Sequence, residues 1–136
     1  FIVKWPGRVP AGTVSAATIN FTDLFATLAE MLGVDAAREY PGIRDSHSFY
    51  PVLADPTLEH QRSAMIHGHY AVRLGDWKLV STRRHAAVGD LQHSDFSLFN
   101  LRQDPAEQHD LSASAPERVA SLFAAFAAFA AQYTPK

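Results

Sequence analysis

The 136-residue chain is 47% hydrophobic and carries 12 Lys and Arg against 14 Asp and Glu, with no Cys. That length is enough for one ordinary core and too short for two comfortable domains. A formal charge of −2 gives no general electrostatic attraction to nucleic acid or membrane surfaces. The missing Cys excludes disulfides, thiolate metal sites and a cysteine nucleophile within these residues, and no apolar run approaches the ~18 residues of a membrane span.

In chain order, Phe1-Ile2-Val3-Lys4-Trp5 reads as a short strand stopped by Pro6-Gly7, and a Pro- and Gly-punctuated loop follows. This opening has neither an initiator Met nor the layout of a signal peptide, so the chain is expected to be a fragment or a processed product, and its localisation stays open. Thr22 is placed to cap a helix from Asp23 in which Leu24, Phe25, Leu28, Met31 and Leu32 fall at helical spacing before Gly33. That spacing predicts a core-facing helix. Turn residues from Asp35 to Pro56 predict irregular structure with a short turn, pinned by Phe49, Pro51, Val52 and Leu53.

A strand is expected from Ala64 to Arg73, leading into a hairpin at Gly75-Asp76. A two-residue turn fixes the register: Leu74 opposite Trp77, Val72 opposite Leu79 and Tyr70 opposite Ser81 on one face, with Arg73–Lys78, Ala71–Val80 and His69–Thr82 on the other. The first face is mostly apolar. The second carries cations and reads either as a solvated sheet surface or as an anion-contacting one. A polar, His-containing stretch precedes a further strand, Phe96 to Leu101, and Asp104-Pro105 opens a turn. Ser114-Ala115-Pro116-Glu117 is a helix entry. The helix runs to about Tyr133, with Val119, Leu122, Phe126, Phe129 and Tyr133 spaced by three and four and Phe123 beside them. The fold class expected is α+β: a small antiparallel sheet of three to four strands packed against a long C-terminal helix.

Five segments, in the same order, resemble the sulfatase family of the alkaline phosphatase-like superfamily. They are Phe1–Gly7, Asp23-Leu24-Phe25-Ala26-Thr27-Leu28, Asp45-Ser46-His47-Ser48-Phe49-Tyr50-Pro51-Val52-Leu53, the Gly75-Asp76 hairpin, and Phe99-Asn100-Leu101 through Asp104-Pro105-Ala106-Glu107 to Asp110-Leu111. The third departs from the family's Asp-Gly-x-Ser-Leu phrase. Ser46 stands where Gly is expected, and if that position needs a positive φ, Ser costs about 1 kcal/mol or forces another turn. The resemblance implies that residues 1–56 are the end of the large α/β sulfatase domain with a connecting loop, and 57–136 the C-terminal subdomain.

Similarity to sulfatases also implies sulfuric ester hydrolysis by a formylglycine nucleophile, with a calcium ion held by Asp and Asn, in the parent enzyme. Neither cofactor maps onto this chain, so no catalytic residue and no metal ligand is assigned within it. Ser114-Ala115-Pro116-Glu117-Arg118 satisfies a loose formylglycine signature but reads as a helix entry. The family comparison makes His67, His69 and Tyr70 candidates for substrate contact, with Arg73 and Lys78 as weaker ones. His67 and His69 lie two apart on the expected strand, sharing a face with Arg73; a zinc site would need a third ligand, which no Cys or helical His pair offers, leaving an Asp or Glu from elsewhere. His47, His85 and His93 sit in polar loops, and Trp77 reads as a packing residue.

The parent implied is a sulfatase acting on a sulfate ester, with its N-terminal domain missing here. Phosphate or phosphonate monoester hydrolysis within the same superfamily is an alternative, as is a free-standing, non-catalytic binding or oligomerisation domain. Without the large domain, Leu24, Phe25, Leu28 and the Phe1–Trp5 strand would expose an apolar side, so the isolated chain is expected to form a dimer or larger species.

Overall fold

Four strands, β1 (Met65–His67), β2 (Ala71–Leu74), β3 (Trp77–Ser81) and β4 (Phe96–Asn100), form an antiparallel meander in the order β1-β2-β3-β4. The computed structural model describes all residues except Arg44, Gln61, His69, Arg84 and 134–136, and omits the side chains of Val88, Gln132 and Tyr133. The chain divides into two compact units, Phe1–Arg62 and Ser63–Lys136, and the sheet belongs to the second.

The β2–β3 register is the one the Gly75-Asp76 turn predicts, with Leu74 opposite Trp77, Arg73 opposite Lys78, Val72 opposite Leu79 and Ala71 opposite Val80. Gly75 supplies a φ of +58°, the left-handed conformation that a primed turn needs. Ser81 N–H donates to the Tyr70 carbonyl at 2.6 Å, which carries the ladder one pair further. The expected continuous strand Ala64–Arg73 is instead two strands. The chain reverses at Gly68 (φ +61°), so that Met65 lies opposite Arg73 and His67 opposite Ala71. A Cβ at Gly68 would stand 3.1 Å from Tyr70 Cε1, so both backbone and space call for Gly there.

Alternation puts Ile66, Val72, Leu79 and Leu98 on one face. The long helix, which is Pro116–Tyr133, packs on it across β2 and β3. Val119, Leu122 and Phe126 of that helix join Val72, Leu79, Leu91, Phe96 and Leu98 in one buried cluster. Phe96 meets Phe123 and Phe126 edge-on, with ring centroids 5.4 and 5.8 Å apart. Each fully buried side chain of this size contributes about 1.5–3 kcal/mol. Pro116 opens the helix, where its missing N–H costs nothing. Just ahead of it, the Ser114 hydroxyl donates to the Leu111 carbonyl at 3.0 Å. The opposite sheet face is not freely solvated, since Ala71 and Met65 are buried on it.

The first unit holds three helices, α1 (Asp23–Met31), α2 (Ala36–Glu39) and α3 (Tyr50–Ala54), which with the second unit's Pro116–Tyr133 as α4 complete the α-helices of the described residues. Residues 1–5, expected as a strand, join no ladder among the described residues. An extended segment becomes a strand only when another strand pairs with its N–H and C=O groups. α1 also corrects an expectation. Its buried residues are Asp23, Ala26, Thr27 and Ala29, whereas Phe25, Leu28 and Leu32, taken as core-facing, are exposed. The buried side of α1 is held by a polar network, described next, rather than by its apolar stripe.

Candidate functional site

In the first unit a fully buried carboxylate organises three segments. Asp23 Oδ2 accepts the Asn20 N–H at 2.8 Å at the start of α1, and Oδ1 accepts the His47 N–H at 2.9 Å. Arg62 Nη1 donates to the same Oδ1 at 2.7 Å, and both Arg62 Nη atoms donate to the Asp45 carbonyl at 3.1 Å. Thr22 provides no cap to α1; its hydroxyl donates to the Asp45 carbonyl at 3.3 Å. Thr27 Oγ1 donates to the Asp23 carbonyl at 2.7 Å and accepts the Phe49 N–H at 3.1 Å. The segment 45–49 is thus strapped across the first turns of α1.

Ser46 has no positive φ, which among the described non-glycine residues belongs to Glu107. Its hydroxyl donates to the Thr22 carbonyl at 2.7 Å and accepts the Ala26 N–H at 2.9 Å. The departure from Gly therefore adds two hydrogen bonds to the strap instead of straining it. Asp23, held by backbone and guanidinium donors, clamps these segments together.

His60 stands behind this clamp, its side chain 6% exposed and Nε2 3.8 Å from Asp23 Oδ2. Burial holds its pKa below the usual imidazole value, Asp23 works against that, and the charges of Arg62 and His47 add to it. A cavity of about 500 Å³ is bordered by His60, Ser46, His47, Ser48, Phe25 and Glu30, among others. Sequence reasoning missed His60 and Arg62. The signal available was a His and an Arg two residues apart, just ahead of the first strand.

In the second unit, His67 ends β1 and shares its sheet face with Ala71, Arg73 and Lys78, reached through strand pairing and not along one strand. Arg73 Nε donates to the Gly75 carbonyl at 2.9 Å. Lys78 Nζ makes a 2.6 Å ion pair with Glu107. Tyr70 sits over Gly68 at the β1–β2 turn. His69 lies outside the described residues. The structure thus places His67 and Tyr70 at the turn end of the β1–β2 hairpin and Arg73 at its other end, opposite Met65, while Lys78 pairs with Glu107. Among the described residues no three His, Asp or Glu side chains converge on a point that could hold a cation.

Helix α4 accounts for the formylglycine-like phrase. Pro116 is its first residue, and the Arg118 guanidinium lies 4.3 Å from the centroid of the Trp77 ring, a cation–π contact that ties helix to hairpin. The Asp104-Pro105-Ala106-Glu107 phrase closes on itself and on the sheet. Asp104 Oδ2 accepts the His109 N–H at 2.7 Å, and Asp110 Oδ1 accepts those of Leu98 and Ser112 at 3.0 and 2.8 Å. The His109 N–H holds the Asp104 carboxyl below its ordinary value. Asp110 is also held low: burial opposes this, and the Leu98 and Ser112 N–H groups outweigh burial.

No protein-family model matches the chain. Arylsulfatase G of Rattus norvegicus is 30% identical over 130 residues, a match that takes in 85% of this chain and 24% of that protein. BT4656, solved in complex with its substrate D-glucosamine-2-N,6-O-disulfate, superposes with a TM-score of 0.70 at 20% identity, over 97% of this chain and 28% of that one. Ps i-CgsB gives a TM-score of 0.69 at 21% identity, over 93% and 27%. The fold is the α+β arrangement of the sulfatase C-terminal portion. In sequence and in structure the chain is similar to that portion of sulfatases, and it spans about a quarter of the length of the relatives it matches.

Proposed function

We propose that this chain is the C-terminal portion of a sulfatase, a sulfuric ester hydrolase whose formylglycine nucleophile and calcium ligands lie in a preceding N-terminal domain, and that the chain is inactive alone. The observation that carries the reading is the match of nearly the whole chain to only a quarter of Arylsulfatase G and of the solved sulfatases. In this reading the β1–β2 hairpin contributes to the substrate side of the parent's pocket. His67, His69 and Tyr70 contact the substrate, with Arg73, which also holds the Gly75-Asp76 turn, and Lys78, which pairs with Glu107, as weaker candidates.

The supporting geometry is local. His67 is exposed at a strand end, the Tyr70 ring lies against Gly68 in the tight turn, and imidazole and phenol groups suit hydrogen bonding to hydroxyl and ester oxygens. The test is steady-state kinetics of the longer protein on an aryl sulfate. His67→Ala and Tyr70→Phe should raise KM several-fold at a nearly constant kcat. Unchanged KM in both variants would remove the hairpin from the pocket.

A further inference from the structure

Among the described residues, the buried side-chain nitrogens without a hydrogen-bond partner are His60 Nε2 and Arg62 Nε. Both side chains are 6% exposed and both face the wholly buried Asp23 carboxylate, Arg62 through a 2.7 Å bond and His60 at 3.8 Å, longer than a hydrogen bond. The charged and titratable groups around His60 are Asp23 from α1, Arg62 on its own segment and His47 from the strap 45–49, while Glu30 and Asp35 line the cavity that it borders. Phe49, also of the strap and 2% exposed, packs edge-on against the imidazole with ring centroids 6.3 Å apart. The strap therefore covers His60.

With His60 neutral, one guanidinium balances one carboxylate. A proton on His60 sets a second cation against the same anion in a dry site, where charge without its own partner is costly. Burial is the main reason that its pKa lies below the ordinary imidazole value, and Arg62 and His47 act in the same direction. The strap is the part able to yield. It has no strand partner among the described residues and is tied to α1 through side chains: the His47 N–H shares Asp23 Oδ1 with Arg62, the Phe49 N–H reaches Thr27 Oγ1, and the Ser46 hydroxyl bridges Thr22 and Ala26. We infer that the strap 45–49 is an acid-released latch: proton uptake by His60 loosens it from α1 and opens to water the cavity of about 500 Å³ that Ser46, His47 and Ser48 border. Imidazole is the side chain suited to such a switch, because it titrates in the mildly acid range. The latch is independent of any activity of the longer protein.

The sign and size follow from linkage. An open strap leaves His60 hydrated with an ordinary pKa near 6.5, while the closed strap holds that value lower, so opening takes up one proton between the two. The open fraction should rise about tenfold for each pH unit below 6.5 and level off once His60 is charged in the closed form as well. Amide hydrogen exchange of the 136-residue chain from about pH 8 to about pH 5, corrected for the intrinsic rate at each pH and read at fixed protein concentration, is the test. Protection of the His47 and Phe49 amides should be constant above pH 6.5 and fall with that slope below it, and His60→Gln should abolish the slope. In the unmodified chain the pH at which the slope levels off should coincide with the His60 imidazole titration followed by NMR. The amide of Leu79, on the interior strand β3, should stay better protected throughout. A slope that survives in His60→Gln, or that levels off away from the His60 titration, would assign the proton to another group. Protection of His47 and Phe49 that ignores pH would leave the strap without a switch, and equal protection of His47 and Leu79 would mean that the strap opens only with the whole fold. Each of these results overturns the latch.

Discussion

Lys78 Nζ lies 2.6 Å from Glu107 Oε1, and Glu107 sits at a φ of +56°. The pair joins two phrases 29 residues apart, the hairpin strand and the Asp104-Pro105-Ala106-Glu107 turn. Two opposed effects follow. At 23% and 31% side-chain exposure the ion pair is worth about 1 kcal/mol at most, and the left-handed backbone costs a non-glycine residue about 1–2 kcal/mol. Glu107→Ala should therefore destabilise, losing the pair and keeping the strain, whereas Glu107→Gly should be close to neutral. Urea denaturation distinguishes them, and equal losses would show that the backbone strain does not matter.

The buried pair Asp23–Arg62 behaves differently from the exposed one. Removing either member leaves a charge without its partner in a dry site, at a cost of about 3–5 kcal/mol. Asp23→Asn and Arg62→Leu should each cost that much, and the double variant much less than their sum. The coupling energy from the double-mutant cycle is the readout. Additive losses would mean that the two side chains act independently.

Ser46 offers a test of sign. If Ser merely replaced a glycine at some strain, Ser46→Gly would stabilise. Because its hydroxyl bridges Thr22 and Ala26, we expect Ser46→Gly to lose about 1–3 kcal/mol, two hydrogen bonds at about 0.5–1.5 kcal/mol each. Thermal unfolding decides between a fall and a rise in Tm.

His60 predicts a pH dependence. Its folded-state pKa lies below the ordinary 6.5, so between the two values the unfolded chain binds the extra proton. Its contribution to stability is complete above pH 6.5 and is lost as pH falls through the folded value. Stability should decline on acidification from pH 7 toward pH 5, and His60→Gln should flatten that decline. An unchanged slope in His60→Gln would assign the effect to other groups.

The isolated chain should associate. Phe1, Ile2, Phe21 and Leu32 each expose most of their apolar surface, which favours association. Light scattering at micromolar concentration should give a dimer or larger species, and Ile2→Asp with Leu32→Asp should reduce its mass. A strictly monomeric mass for the unmodified chain would contradict this.

The hairpin register and the α4 core were legible in the sequence because both depend on local rules, a two-residue turn and a 3.6-residue apolar period. The break at Gly68 was missed because β-branched and apolar residues on both sides read as one run, and a single Gly is a weak signal of a reversal. α1 showed the limit of periodicity. Its apolar residues recur at helical spacing, but Phe25, Leu28 and Leu32 are exposed, and the side that is buried is held by Asp23, Thr27 and Ser46. The Asp23–Arg62 clamp spans 39 residues, a separation at which no local pattern reports. For the same reason the sheet face that His67 shares with Arg73 arises from pairing of two strands and not from spacing along one.

The most direct test of the central claim is turnover of an aryl sulfate and the matching aryl phosphate by the longer protein, beside the 136-residue chain alone. The C-terminal portion of a sulfatase predicts sulfate ester hydrolysis at an enzymatic rate by the longer protein, preferred over phosphate, and none by the isolated chain. Preference for the phosphate ester, or turnover of sulfate by the 136 residues on their own, would contradict it.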